Sequence, residues 1–183
     1  MPNKLIIRDK IKSFNNKISV CGDKSISIRW VLLSSLANGK STARNLLMSG
    51  DVIAAINAIK NLGVKVKLKN KKCEIYGVGF DGYKYKKQIN INAENSGTLG
   101  RLILGFLINC KFPIKIVGDK SLSKRDFKRV SDPLSKFGAT FKLKKKNYLP
   151  LTIYGKQKLK PIKYYENLGS AQCKSAVIFG AMR

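Results

Sequence analysis

Hydrophobic and polar positions along the chain follow a helical period and then a strand period, and this succession occurs twice. An apolar stretch of helix length follows a Gly/Ser-rich turn at residues 27–37 and again at residues 98–109. A second periodic stretch follows each of them, at residues 51–61 and 128–137, and a glycine comes shortly afterwards. Because glycine commonly ends a helix, we predict four helices over these ranges.

Short runs with the alternation of a half-buried strand come after each second helix. They cover residues 64–68 and 74–77 in the first half, and residues 140–143 and 151–154 in the second. Polar Lys/Asn turns separate the two runs of each pair, which predicts two pairs of adjacent strands. A last apolar stretch at residues 172–182 predicts a fifth helix.

The two halves form an internal repeat with a constant offset of 75 residues, so that Gly63 falls on Gly138. The tripeptide Ile-Tyr-Gly also recurs, at residues 75–77 and 153–155. We interpret the chain as an α/β repeat whose units are each roughly βαβαββ. A third unit begins near residue 169 and stops within its first helix, so we expect the chain to be truncated.

The formal net charge is +27, with 44% hydrophobic and 26% charged residues. The excess is mostly lysine, which we interpret as a solvated basic surface on an ordinary globular protein. A nucleic-acid-binding role is the alternative, although no RNA- or DNA-reading motif accompanies the charge. Attraction of small anionic substrates is a third interpretation.

Histidine is absent, which excludes His-based triads and His zinc sites and leaves acid–base work to Lys, Asp, Glu or Tyr. The four cysteines are far apart, so reduced thiols are expected rather than a disulfide framework. The N-terminus has no secretory h-region, and apolar runs such as residues 102–108 are too short to span a bilayer. We therefore expect a soluble, cytoplasmic protein.

Three separated segments combine glycine, small hydroxyl residues and Lys or Arg. They are GDKSISIR at residues 22–29, NSGTLGR at residues 95–101 and GSAQCKSA at residues 169–176, and each opens an apolar helix. A phosphate site needs accessible backbone N–H groups, a helix N-terminus and cationic side chains. The three segments together predict one anion-binding site assembled from several helix starts.

At these segments the sequence resembles the EPSP synthase (3-phosphoshikimate 1-carboxyvinyltransferase) family. The first two segments match family motifs, as does GDKSLSKRDFKRV at residues 118–130, and SAQCKSA matches the form seen in class II members. The resemblance covers the whole chain but only the N-terminal part of a typical member. It implies an α/β fold, the incomplete inside-out, barrel-like lobe of the enolpyruvyl transferases. Residues 1–20 would be a strand and crossover of the second lobe, and residues 21–183 two repeats and a truncated third.

The resemblance also implies a reaction. Family members transfer the enolpyruvyl group of phosphoenolpyruvate to the 5-hydroxyl of shikimate 3-phosphate through a tetrahedral intermediate and release phosphate. This reaction belongs to the shikimate pathway, which leads to chorismate and the aromatic amino acids. Both substrates are multiply anionic, in agreement with the cationic segments. No metal or organic cofactor, membrane or nucleic-acid partner is implied, and the full-length protein is expected to be a monomer.

Motif positions imply roles for individual residues, of which Lys24 is expected to contact both substrates and act in catalysis. The residues expected to bind shikimate 3-phosphate are Lys24, Ser25, Arg29, Ser170, Ala171 and Gln172. Those expected to bind phosphoenolpyruvate are Lys24, Gly97, Arg125 and Gln172. A planar guanidinium suits carboxylate or phosphate, and a side chain at position 97 would obstruct the approach of the substrate to the backbone.

Several of these residues also have ordinary structural interpretations. Ser25 and Ser170 are good helix caps, and Arg125 lies in a run of solvated charges. Asp51 is expected only to begin a helix, and Arg101 to be structural.

The sequence departs from the family pattern at three motif positions, Cys21, Ile28 and Asp126. Of these, Asp126 places a negative charge beside Arg125, which is expected to weaken anion binding there. The family's catalytic Asp and Glu, with two further arginines, belong to the second half, which this sequence does not include. We therefore expect the 183-residue chain to have little or no activity alone.

Two hypotheses of other classes remain open from the sequence. A basic, non-catalytic module would bind nucleic acid with a steep salt dependence and ignore shikimate 3-phosphate. A truncated gene product would have no function of its own.

Overall fold

The computed structural model describes residues 6, 8–10, 12–69, 72–167 and 169–183. Within these ranges the α-helices are Lys24–Leu36 (α1), Gly50–Asn61 (α2), Gly97–Leu107 (α3), Lys128–Ser135 (α4) and Ala171–Ala181 (α5). The β-strands are Asn38–Arg44 (β1), Lys65–Lys69 (β2), Lys72–Val78 (β3), Ile89–Asn92 (β4), Ile114–Val117 (β5), Thr140–Lys144 (β6) and Tyr148–Tyr154 (β7). A 3₁₀ turn at Leu122–Lys124 precedes α4.

The strands form two sheets that are built alike. The first sheet has the order β1-β3-β2 and is antiparallel throughout. The second has the order β4-β5-β7-β6, in which β4 and β5 are parallel and the other pairs antiparallel. Val66 pairs with Ile75 in the first sheet, and Phe141 with Ile153 in the second. Both predicted pairs of adjacent strands are therefore antiparallel neighbours.

The internal repeat is visible in the backbone, because α1-β1-α2-β2-β3 is followed by α3-β5-α4-β6-β7. Gly63 and Gly138 follow α2 and α4 with φ of 87° and 110°, as expected of glycines that end helices. The glycine of each Ile-Tyr-Gly motif lies against the end of the preceding apolar helix. A Cβ on Gly77 would lie 2.2 Å from the carbonyl oxygen of Ala37, and one on Gly155 would lie 2.2 Å from the amide nitrogen of Cys110.

The first repeat differs from the second at its start. Strand β4 precedes α3, whereas residues 12–23 before α1 form neither helix nor strand. At the offset of 75, the counterpart of β4 is residues 14–17, whose sequence Phe-Asn-Asn-Lys lacks strand alternation, and Phe14 is 68% exposed. The assignment of residues 1–20 to a second lobe stays a prediction, and positions 1–5, 7 and 11 lie outside the described residues.

Helix α3 lies at the centre of the core, with all of its residues buried. Its sequence is mostly apolar, which suits such an environment, and its buried polar side chains are Thr98 and Arg101. Helix α5 packs along it, with the rings of Phe106 and Phe179 stacked at 4.5 Å, and α1 packs against both α2 and α3. None of the helices in the described ranges has the length and apolar character required to span a membrane.

Candidate anion-binding site

The first Gly/Ser segment begins helix α1 earlier than the apolar pattern predicts. Asp23 caps the helix, since its Oδ1 accepts a hydrogen bond from the amide of Ile26 at 2.7 Å. Helix α1 therefore begins at Lys24 rather than at residue 27, and Lys24 and Ser25 lie in its first turn. The interpretation of Ser25 as the N-cap is wrong, because Asp23 has that role.

The other two segments also begin helices. Ser96 caps α3 by accepting from the amide of Leu99 at 3.2 Å, and Ser170 caps α5 by accepting from the amide of Cys173 at 3.3 Å. The capping interpretation of Ser170 is therefore confirmed. Ala171 is exposed and is the first residue of α5. Its backbone N–H therefore belongs to the helix start, where such groups have no partner within the helix.

Arg29 connects the first segment to the third. Its Nη1 donates to the backbone oxygen of Ser25 at 3.2 Å, and its Nη2 donates to Oγ of Ser175 at 3.3 Å. Ser175 lies one turn after the start of α5, so the guanidinium lies between the N-terminal turns of α1 and α5.

Gln172 connects the third segment to the second. Its Nε2 donates to Oγ1 of Thr98 at 3.1 Å, while its Oε1 accepts from Nη1 of Arg101 at 2.6 Å. The arginine can only donate, so the amide oxygen of Gln172 faces Arg101 and its nitrogen faces Thr98. The N-termini of α1, α3 and α5 therefore meet at one place, as the three segments predict.

Arg101 is buried at 6% exposure in the middle of this network. Its Nη2 donates to the backbone oxygen of Asp126 at 3.2 Å, and its guanidinium lies 5.3 Å from the ring centre of Phe127. Burial, and then the nearby charge of Arg129, lower the pKa of Arg101, although an arginine stays charged in such a setting. The sequence indicated a structural role; the structure makes this residue the support of Gln172.

Arg125 approaches the same place from the loop before α4. Its Nη2 donates to Oδ1 of Asn95 at 3.1 Å, and Nδ2 of Asn95 donates to Asp119 at 2.5 Å. The amide of Leu122 also donates to Asp119, at 2.7 Å. The hydrogen bond from Asn95 and then that from Leu122 lower the pKa of Asp119, so this carboxylate is ionised and orders the loop.

Gly97 lies where two guanidinium groups converge. A Cβ built on this residue would lie 3.1 Å from Nη1 of Arg125 and 3.3 Å from Nη1 of Arg101. These distances are shorter than ordinary contacts, so a side chain at this position would press on both groups. Gly97 is itself buried, and because it has no side chain the two guanidinium groups can lie against the first turn of α3.

Asp126 does not face Arg125 through its carboxylate. Its Oδ1 accepts from the backbone amide of Lys128 at 2.7 Å, which places the carboxylate at the start of α4. Its backbone oxygen is the acceptor for Arg101. The expected weakening of anion binding by this residue stays a prediction.

Lys24 has a partner that the sequence did not reveal. Its Nζ lies 3.3 Å from Oδ2 of Asp51, in the first turn of α2, and the two side chains are 53% and 22% exposed. The predicted position of Asp51 at a helix start is confirmed, and Asp51 also forms the ion pair with Lys24. An ion pair this exposed contributes little free energy, so an anionic ligand can compete for the lysine.

Comparison with known proteins identifies the family of this chain. The family model described as EPSP synthase (3-phosphoshikimate 1-carboxyvinyltransferase) matches residues 8–183. The chain belongs to the EPSP synthase family. The 3-phosphoshikimate 1-carboxyvinyltransferase of Caldicellulosiruptor bescii is 43% identical over 176 residues, which are 96% of this chain and 40% of that protein. The enzyme of the same name from Streptococcus suis is 41% identical over 97% of this chain and 42% of its own length.

A solved structure of EPSP synthase from Acinetobacter baumannii has the same fold over most of the chain. It superposes with a TM-score of 0.84 at 36% identity and covers 90% of this chain and 37% of its own. The predicted α/β fold class and family are therefore confirmed. The chain spans about two-fifths of the length of the relatives it matches.

Proposed function

We propose that this chain forms the N-terminal part of a transferase that moves the enolpyruvyl group of phosphoenolpyruvate to the 5-hydroxyl of shikimate 3-phosphate. The observation that carries the proposal is the meeting of the N-termini of α1, α3 and α5. Arg29 lies between α1 and α5, and Arg125 lies beside Gly97 of α3. Lys24 belongs to the first turn of α1. Two anionic substrates need such a concentration of donors and positive charge. The protein would act in the cytoplasm as a monomer.

Shikimate 3-phosphate fits the α1–α5 side of this site. The hydroxyls of Ser25 and Ser170 lie at the first turns of these helices, Arg29 lies between them, and Ala171 offers a backbone amide. Their contribution is to hold the 3-phosphate so that the 5-hydroxyl has a fixed position and direction.

Phosphoenolpyruvate fits the α3 side, where Arg125 lies beside Gly97 and Arg101 holds Gln172. Lys24 would leave Asp51 and lie between the two substrates, where it reduces the repulsion between their charges. In the addition, the 5-hydroxyl oxygen bonds to C2 of phosphoenolpyruvate and loses its proton to a base, while the C2=C3 double bond opens and C3 takes a proton from an acid. In the elimination, C3 loses a proton, the double bond forms again, and the C2–O bond to phosphate breaks and releases inorganic phosphate. The acid and base for these steps would come from the rest of the protein.

Calorimetric titration of the chain with shikimate 3-phosphate tests the proposal. We expect saturable one-to-one binding that Lys24→Ala abolishes and that Lys17→Ala, the loss of an exposed lysine elsewhere, leaves unchanged. If the two variants weakened binding equally, the loss of affinity would come from the lower net charge alone, and this would contradict the proposal. A phosphate-release assay with both substrates should show no turnover by the 183-residue chain, and turnover would contradict the assignment of the acid and base to other residues.

A further inference from the structure

A second concentration of positive charge lies outside the candidate site. It is a groove of 460 Å³ between the 3₁₀ turn and the β6–β7 hairpin. We name it the lysine groove and define it by the residues that line it: Lys120, Ser123, Lys124, Lys144, Lys145, Tyr148 and Leu149. Its volume is in the range of small-molecule sites.

Among the described residues, the four lysines of the groove have no acidic partner in an ion pair. In that part of the chain the ion pairs are those of Lys24 with Asp51 and of Lys40 and Lys72 with Glu74. Asp119, the acidic neighbour of Lys120 in sequence, is bound instead to Asn95 and to the amide of Leu122. Four exposed ammonium groups therefore share one concavity without compensation, which favours an anion there.

The backbone of the hairpin holds two lysines in a conformation that lysine rarely adopts. Lys145 and Lys146 have φ of 48° and 68°, and the amide of Asn147 donates to the carbonyl of Lys144 at 3.3 Å. These features define a turn with two left-handed residues, where asparagine and glycine are preferred. The turn is fixed to the start of α4, because the amide of Phe127 donates to the carbonyl of Asn147 at 2.8 Å. Backbone strain of this kind is concentrated at functional sites in proteins.

The base of the groove is apolar. Leu149 is buried and Tyr148 is half-buried, and both line the groove together with the lysines. An aromatic residue beside clustered cations suits a ligand that has a planar group as well as phosphates.

The lysine groove is distinct from the candidate site, although the 3₁₀ turn borders both. Leu122 is buried on the side of Gly97, where its Cδ1 would lie 3.7 Å from a Cβ on that glycine. Lys120 and Lys124 flank it and line the groove instead. Arg125, the next residue, points back to Asn95.

We propose that the lysine groove binds a small compound with several adjacent phosphates, either a nucleoside triphosphate or an inorganic polyphosphate. A single phosphate would leave most of the four ammonium groups without a partner, whereas a chain of phosphates reaches them together. The lysines lie in one short concavity rather than in a stripe with interleaved aromatic rings, which favours a small polyanion over a nucleic-acid strand. This site stands independently of the proposed transferase function.

Calorimetric titration of the chain with tripolyphosphate and with magnesium-free ATP, at two salt concentrations, tests this site. We expect one-to-one binding that is weakened about tenfold by Lys144→Gln with Lys145→Gln, since two exposed charge contacts are lost. The matched control is Lys86→Gln with Lys87→Gln, an exposed loop pair with the same change in charge. Equal weakening by both pairs, or no saturation, would overturn the proposal.

A second pair keeps the test valid if the hairpin variant alters the turn. Lys120→Gln with Lys124→Gln changes the opposite wall and should weaken tripolyphosphate binding to a similar extent, while thermal melting of every variant checks the fold. Tyr148→Leu distinguishes the two ligand sources. If it lowers the affinity for ATP but not for tripolyphosphate, the ligand is a nucleotide. If the ratio of the two affinities is unchanged, the phosphate chain is what the groove binds.

Two further arms separate the lysine groove from the candidate site and from a nucleic-acid surface. Lys24→Ala should leave tripolyphosphate binding unchanged, and loss of binding would place the ligand in the candidate site and overturn the proposal. An oligonucleotide that binds more tightly than tripolyphosphate, through the same lysines, would overturn it in favour of nucleic acid.

Discussion

Replacement of Arg101 by methionine should destabilise the chain and loosen the link between α3 and α5. Methionine fills a similar volume but removes the hydrogen bonds to Gln172 and to the backbone of Asp126. A hydrogen bond from a charged donor contributes about 1.5–3 kcal/mol, and the contact with the ring of Phe127 adds about 1 kcal/mol. Methionine also avoids the free-energy cost of burying a cation, which offsets part of this loss. We therefore expect a net decrease of about 2 kcal/mol in the free energy of unfolding.

The decrease is measured by equilibrium unfolding in urea, followed by circular dichroism and by the fluorescence of Trp30, the single tryptophan. Coincident transitions establish that unfolding is two-state. Arg44→Met is the matched control, since Arg44 is exposed at the end of β1, and it should change the free energy by less than about 0.5 kcal/mol.

A double-mutant cycle isolates the contact at 2.6 Å between Arg101 and Gln172. In a Gln172→Ala background, Arg101→Met can lose only its contacts to Asp126 and Phe127. The coupling energy should therefore be about 1–2 kcal/mol. A coupling below about 0.5 kcal/mol would refute the conclusion that Arg101 supports Gln172.

Three further changes test other parts of the structure. Asp119 has a lowered pKa in the folded chain, so its ionised form stabilises the fold above the ordinary pKa of about 3.9, and this stability is lost as the pH falls. Asp119→Asn should therefore lower the Tm at a pH near 7 but not in acid. An equal decrease in Tm at both pH values would contradict this origin of the stability. Gly105→Ala would place a Cβ 2.2 Å from the carbonyl oxygen of Ala176, so urea unfolding should show a loss of about 2 kcal/mol, whereas Gly50→Ala, which meets no atom within 4 Å, should change stability little. Cys21 is the one exposed thiol among the four, so titration with a thiol-reactive chromophore should show one fast-reacting group per chain, and Cys21→Ser should remove it.

The sequence by itself determined the helices, two pairs of strands, the repeat and the family, whereas it set no bounds for β1, β4 and β5. Periodicity and helix-ending glycines are local signals, and they predicted the four helices and two strand pairs to within a few residues. The exceptions are also local. Asp23 caps α1 and moves its start to Lys24, and residues 14–17 lack the alternation of β4. The three Gly/Ser segments predicted a shared anion site because each has the composition of a helix start.

Only the tertiary structure decided which side chains meet within that site. Lys24 and Asp51, Arg29 and Ser175, and Arg101 and Gln172 are separated in sequence by many residues, and no periodic signal connects them. Likewise, the lysine groove unites a 3₁₀ turn with a hairpin about twenty residues later, while the sequence shows only scattered lysines. Local patterns record what a segment prefers, whereas a partner across the fold is fixed by packing around the buried helix α3, which sets the distances between segments.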